Sequence, residues 1–223
     1  MSSLIDSIGE TVKGNITKAK LNSIEEAIRK YILMEFAQTG KAPSSAEIMK
    51  GLRLSSISMV TSSLAKLEEN DIVLRRDGTI VSAYPFSAGE TRHRVIFEDG
   101  HEVYALCSTD ALGIHFMLDE NITVLSRCPE TGKEISIIVK DGGIASCNPK
   151  SAIEYISQGE SGCCTAETCC PHINFFYSIK YLENWREKNP KYRKGEIYMP
   201  DETLKHGKSI FKGFLKDLPD KVT

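Results

Sequence analysis

Between Ser23 and Tyr84 the hydrophobic period of the chain changes from helical to extended, which limits the folds open to it. Ile24, Ile28, Tyr31 and Ile32 mark one face of a helix, with a capping box predicted at Ser23 and Glu26. Gly40 and Pro43 end that helix. Ser44 with Glu47 starts a second, carrying Ile48 and Leu52, and Ile57, Val60, Leu64 and Leu67 predict a third. Ile72 to Arg76 and Thr79 to Tyr84 then flank the turn residues Asp77 and Gly78, the pattern of a β-hairpin. Three helices and a hairpin make the plan of a winged helix. Residues 1–20 are polar with little period and are expected to form a polar arm or a short helix.

From Gly89 onward strands dominate. Arg94–Phe97 and Val103–Leu106 flank Asp99-Gly100 as a second hairpin, and Thr109–Leu118 reads as a helix. Ile122–Leu125 and Ile135–Val139 are predicted to pair across Cys128-Pro-Glu-Thr-Gly132, and Ile173–Ser178 is a further strand. Tyr181–Lys188 and Glu202–Leu218 are expected to be helices that close the structure. The fold class expected is α+β: a winged-helix-like module over residues 21–86, then a mostly antiparallel sheet domain with flanking helices over residues 87–223.

The formal net charge of −2 offers no bulk attraction to nucleic acid or an anionic membrane. No apolar run is long enough for a signal peptide or a membrane span, so a cytoplasmic protein is expected. The third predicted helix carries a single lysine, Lys66, and Arg53, Arg75 and Arg76 do not complete a basic stripe. Phosphate contacts come chiefly from Lys and Arg, so nucleic acid is not an expected partner.

The seven cysteines are the anomaly. An odd count in a chain of 223 residues argues against a disulfide framework, and clustered thiols in a reducing compartment point to metal binding or catalysis. Cys147 and Cys128 are compatible with buried, merely structural thiols. Two segments are not. Cys107-Ser-Thr-Asp110 places a thiol three residues before a carboxylate, between a predicted strand and a predicted helix. There the helix dipole is expected to lower the thiol pKa, while Asp110 alone would read as a first-turn acidic residue. The second segment sets Cys163, Cys164, Cys169, Cys170 and His172 within ten positions. Adjacent pairs with four residues between them are not the Cys-x-x-Cys knuckles of a structural zinc site. Thiolates hold soft metals, and a carboxyl beside them can move a proton.

Tyr104-Ala-Leu-Cys107-Ser-Thr-Asp110 resembles the first active-site segment of the organomercurial (alkylmercury) lyases. Cys128-Pro-Glu-Thr-Gly132 resembles their next segment. Cys170, five residues ahead of Phe175-Phe176 and followed by Trp185, resembles their second catalytic segment. The resemblance covers residues 90–190, and the helical module also fits it. It implies cleavage of a carbon–mercury bond by protonolysis, with Cys107 and Cys170 holding the metal and Asp110 relaying the proton. The chain departs from the family pattern in carrying Cys163, Cys164 and Cys169 besides the matched Cys170. Cys169 is expected as a further metal ligand and Cys163 and Cys164 as auxiliary thiols, which relay metal off the site or bind a different soft element. Cys128 is structural by the resemblance. No cofactor is required. Mercuric ion would be the bound product, removed by an external low-molecular-weight thiol or a mercuric-ion reductase. Organic compounds of arsenic, tin, lead or selenium are alternative substrates. Two other readings stay open: a winged-helix transcription regulator that senses metal, and a soft-metal chaperone that binds without cleaving.

Overall fold

The computed structural model describes residues 4–157 and 166–215. It is an α+β fold built on a large antiparallel sheet with helices against it. The polar N-terminal stretch is a helix, α1 (Leu4–Ala19), which buries Ile5 and Val12. Next come α2 (Ser23–Thr39), α3 (Ser45–Gly51) and α4 (Ile57–Glu69), in the order that the periodicity predicts.

The cap of α2 lies one residue earlier than expected. Asn22, not Ser23, accepts the Ile24 and Glu25 amides, and the Glu25 carboxylate returns to the Asn22 amide. Glu26 is drawn instead to the buried Arg29, at 2.7 Å. Ser44 and Glu47 close the predicted capping box of α3.

The first hairpin is β1 (Val73–Arg76) with β2 (Thr79–Ala83), turned at Asp77 and Gly78, whose φ angles are +50° and +78°. A two-residue strand, β3 (Phe86–Ser87), joins it to the second hairpin, β4 (His93–Phe97) and β5 (Glu102–Ala105). After α5 (Ser108–Leu118) the chain adds β6 (Ile122–Arg127), β7 (Glu134–Lys140) and β8 (Gly143–Asn148). These eight strands form one antiparallel sheet in the order β1-β2-β3-β5-β4-β6-β7-β8. The sheet therefore runs through the expected boundary near residue 86 without a break.

A smaller sheet pairs β9 (Ile153–Ser157) with β10 (Ile173–Phe176) on one side and β11 (Gly195–Tyr198) on the other. Helix α6 (Ile179–Lys188) precedes β11. The last helix, α7 (Pro200–Phe211), starts with Pro at its first position and a Glu202 carboxylate on the Met199 amide. It ends at Phe211 rather than running on to residue 218 as expected, because Gly213 at φ +80° turns the chain away. Residues 216–218 of that prediction lie outside the described residues.

Helices α5 and α7 cross at glycine on both sides. A Cβ on Gly207 would stand 2.9 Å from the Gly113 Cα, and a Cβ on Gly113 would stand 2.2 Å from the Phe211 ring. Helix α5 has almost no exposed face, so it sits inside the protein. No helix among the described residues is long and apolar enough to cross a membrane.

Candidate active site

Cys107 is the N-cap of α5. Its backbone is extended (φ −148°, ψ 178°), and its Sγ accepts the Asp110 amide at 3.4 Å, taking the place that a serine oxygen would fill in an ordinary cap. Asp110 follows in the first turn, so one local motif carries both side chains to the same end of the helix. Cys170 comes from the far side. It opens a 3₁₀ turn, Cys170–His172, that feeds directly into β10. Its thiol donates to Asp110 Oδ2 at 3.8 Å. The three ligand atoms of Cys107, Asp110 and Cys170 all lie within 4.8 Å of one another, and all three residues are buried. Such a span can be bridged by one soft ion.

Burial governs the protonation of this cluster. Loss of hydration pushes the Asp110 carboxyl up to about 7, against the two thiol hydrogen bonds that favour its anion and with the help of the nearby Glu154 charge. Burial likewise raises Cys107, well above an ordinary thiol, and its hydrogen bond to Cys170 adds to the rise. That reverses the expected depression by the helix dipole. A dipole acts over one turn, whereas desolvation of a fully buried thiolate is a larger cost. For Cys170 the bond from Cys107 pulls the pKa down, but burial and the charges of Asp110 and Cys169 outweigh it, and the net direction is up. At rest the site thus holds protonated thiols beside a carboxyl poised near neutrality.

Two further buried residues bear on this cluster, and residue type and spacing marked neither as functional. Glu154 on β9 is fully buried and accepts Ser108 Oγ at 2.6 Å, Thr109 Oγ1 at 2.8 Å and Thr203 Oγ1 at 2.9 Å. Burial raises its carboxyl, while those three bonds oppose the rise. A lone carboxylate in the run Ile153-Glu-Tyr-Ile156 was the available signal. Tyr84, at the end of the first hairpin, is also buried. Its phenol is pushed up by burial and then by the charges of Cys170, Asp71, Asp110 and Cys107.

Among the described residues, none of the other predicted thiols belongs to this group. Cys169 is part-exposed beside Cys170 and is not one of the three convergent ligands. Cys163 and Cys164 lie outside the described residues. Cys128 is buried in the turn after β6, where its amide bonds Lys133 O and its carbonyl accepts the Gly132 amide. Cys147 is half-buried on β8. His172 stacks on Tyr192 at a centroid distance of 4.1 Å and is not part of the cluster.

A sequence model of the alkylmercury lyase (MerB) family matches residues 86–212, more than half of the chain. The chain belongs to the alkylmercury lyase family. Cys107, Asp110, Glu154 and Cys170 all fall inside that lyase match. The alkylmercury lyase of Staphylococcus epidermidis (strain ATCC 12228 / FDA PCI 1200) is 26% identical over 121 residues, which are 54% of this chain and 55% of that one. The alkylmercury lyase of Pseudomonas putida is 28% identical over 103 residues, 45% of this chain and 47% of that one. The chain thus spans about half the length of the curated lyases it matches. Among solved structures, the mercury-bound form of MerB2 superposes with a TM-score of 0.76 at 24% identity, covering 95% of this chain and 100% of that one. The likeness in fold therefore extends beyond the lyase match to the helices that precede it.

Proposed function

We propose that the protein cleaves the carbon–mercury bond of organomercurials by protonolysis, with Cys107 and Cys170 as the metal-binding thiols and Asp110 as the proton relay. The observation that carries this reading is the convergence of two thiols and one carboxyl within 4.8 Å in a buried site. An organomercuric cation, R–Hg⁺, takes the place of one thiol proton, which leaves to solvent, and forms R–Hg–S. The second thiol gives its proton to the Asp110 carboxylate as its sulfur bonds to mercury. Electron density from two sulfurs weakens the bond to carbon, which leaves as a carbanion-like group and receives the proton from Asp110. The balance is R–Hg–S plus S–H giving R–H and a mercuric dithiolate. A carboxyl near 7 suits both halves of that relay, since it accepts and returns a proton at the same pH.

No cofactor enters this scheme; mercuric ion is the product. Its removal falls to an external low-molecular-weight thiol, and then to a mercuric-ion reductase, in a reducing cytoplasm. Cys169, beside Cys170 and part-exposed, would receive mercury on its way out. The regulator reading finds less support. Three of the four cations that a DNA contact would draw on are already engaged: Lys66 with Glu25, Arg75 with Glu68 and Arg76 with Glu167. In this reading the helical module is a cover for the site rather than a DNA reader.

Hydrocarbon release from methylmercury and phenylmercury under excess small thiol tests the proposal. Wild type is expected to yield methane and benzene, and Cys107→Ser and Cys170→Ser to yield neither. Stoichiometric mercury binding by wild type without hydrocarbon would replace the lyase with a chaperone or sensor.

A further inference from the structure

Among the described residues, Glu154 is the one fully buried carboxylate outside the thiol–carboxyl cluster. A buried carboxylate is costly to desolvate, and an apolar side chain would fill the same space without that cost. Its contacts suggest what offsets the expense. Oε1 accepts from Ser108 and Thr109, the two residues that stand between Cys107 and Asp110 in the first turn of α5. Oε2 accepts from Thr203 on α7. The backbone of Glu154 pairs with Phe175 on β10, the strand that Cys170 leads into. One residue therefore touches both halves of the site, by its side chain on the Cys107 side and by its strand on the Cys170 side.

We propose that Glu154 is the positioning residue of this site: its carboxylate ties the first turn of α5 to the β9–β10 pair and so fixes the gap between the Cys107 and Cys170 thiols. The inference rests on the reading of Cys107, Asp110 and Cys170 as the reacting set. Two thiols at a fixed gap bind a metal as a chelate, because the second sulfur acts at a high effective concentration once the first has bound. Releasing the turn leaves each thiol able to bind but lowers that effective concentration. The misplaced carboxyl also misses the departing carbon. Glutamine preserves the tie: its oxygen accepts from Ser108 and Thr109, its amide donates to Thr203, and the Thr203 proton turns to Met199 O at 3.3 Å.

The test compares wild type, Glu154→Gln, Glu154→Ala and the apolar triple variant Ser108→Ala/Thr109→Val/Glu154→Leu. Replacing Glu154 together with its two α5 partners, while Thr203 keeps its bond to Met199 O, avoids leaving a buried group unsatisfied, so the triple variant retains its fold if the alanine variant does not. Two quantities are read: kcat and KM for phenylmercury, and the concentration of a small monothiol that strips bound mercuric ion, followed by the ultraviolet mercury–thiolate band. We expect glutamine to stay within about threefold of wild type on both. The alanine and triple variants should lose about 10- to 100-fold in kcat with KM little changed, and release mercury at about tenfold lower monothiol. A folded triple variant with wild-type kcat and wild-type hold on mercury overturns the proposal, as does a glutamine variant no better than alanine. If neither disruptive variant folds, Ser108→Ala and Thr109→Val singly carry the same expectation in graded form, and wild-type values in both overturn it. The monothiol competition reads the thiol gap even if wild type releases no hydrocarbon. That result would sink the lyase reading without deciding the role of Glu154.

Discussion

A carboxyl buried beside two thiols keeps its proton further up the pH scale than an exposed one, because its anion would lose hydration. For Asp110 this raises the folded-state pKa to about 7. The native state then favours the protonated form. The stability it contributes is fully present below the ordinary carboxylate range and is lost as pH rises through about 7. Asp110→Asn should remove this dependence. In denaturant melts, the difference between wild type and variant should shift by on the order of 2–4 kcal/mol in favour of the variant from about pH 4 to pH 8. A difference that does not move with pH would remove the burial account. The same variant is expected to bind mercuric ion stoichiometrically while losing about 10²–10⁴-fold in hydrocarbon release. His93 acts with the opposite sign. Burial lowers it to about 4, so its contribution is present above its ordinary value and is lost as pH falls toward 4. The convergence of Cys107, Asp110 and Cys170 was legible in part: the Cys107–Asp110 pair stood out by residue type and spacing, whereas Cys170 was singled out from its neighbouring thiols by the resemblance to the lyase segments. Glu154 was not, since the hydroxyls that explain it lie more than forty residues away on either side. The direction of the Cys107 shift was missed for a related reason: the dipole is local and readable, the burial is tertiary.

Helix α5 owes its exact depth to the glycine crossing with α7, which is where the site is most sensitive to a single methyl group. Gly207→Ala places a Cβ 2.9 Å from the Gly113 backbone and 3.1 Å from Thr109 O, and backbone cannot swing aside as a side chain can. We expect a loss of about 1–3 kcal/mol in thermal or denaturant unfolding. A fall in kcat should accompany it, because the displaced helix carries Cys107 and Asp110. Gly14→Ala, where a Cβ would meet nothing within 4 Å, is the matched control and should be neutral or slightly stabilising. Helices α2 to α4 and the two hairpins were readable from their periods and turn residues. Strands β8, β9 and β11 were not. β8 is mostly exposed, so no apolar alternation marks it, and β9 is buried on both faces, so none can.

The first helix shows how far the whole structure depends on contacts distant in sequence. Ile5 and Val12 were too sparse to announce a buried face, yet α1 packs on α7, where Gly9 lies against Ile210 and Lys13 bonds Ser209 O. The Leu4 amide also bonds the Glu196 carboxylate. Ile5→Ala should therefore cost about 2–4 kcal/mol although it sits in the first few residues, and a melt that shows no loss would mean that α1 is only loosely attached. Helix α7 lies between α1 and α5, so a helix late in the described residues holds the earlier two together. During synthesis the residues of α1 and of the thiol cluster leave the ribosome first and wait, with their apolar faces uncovered, for α7 to emerge. Growing chains of this length expose sticky surface for as long as such a closing piece is missing. A nascent chain stalled before Pro200 should be held by chaperones and unable to hold mercury between its two thiols, so competence comes only with α7 and not gradually along the way.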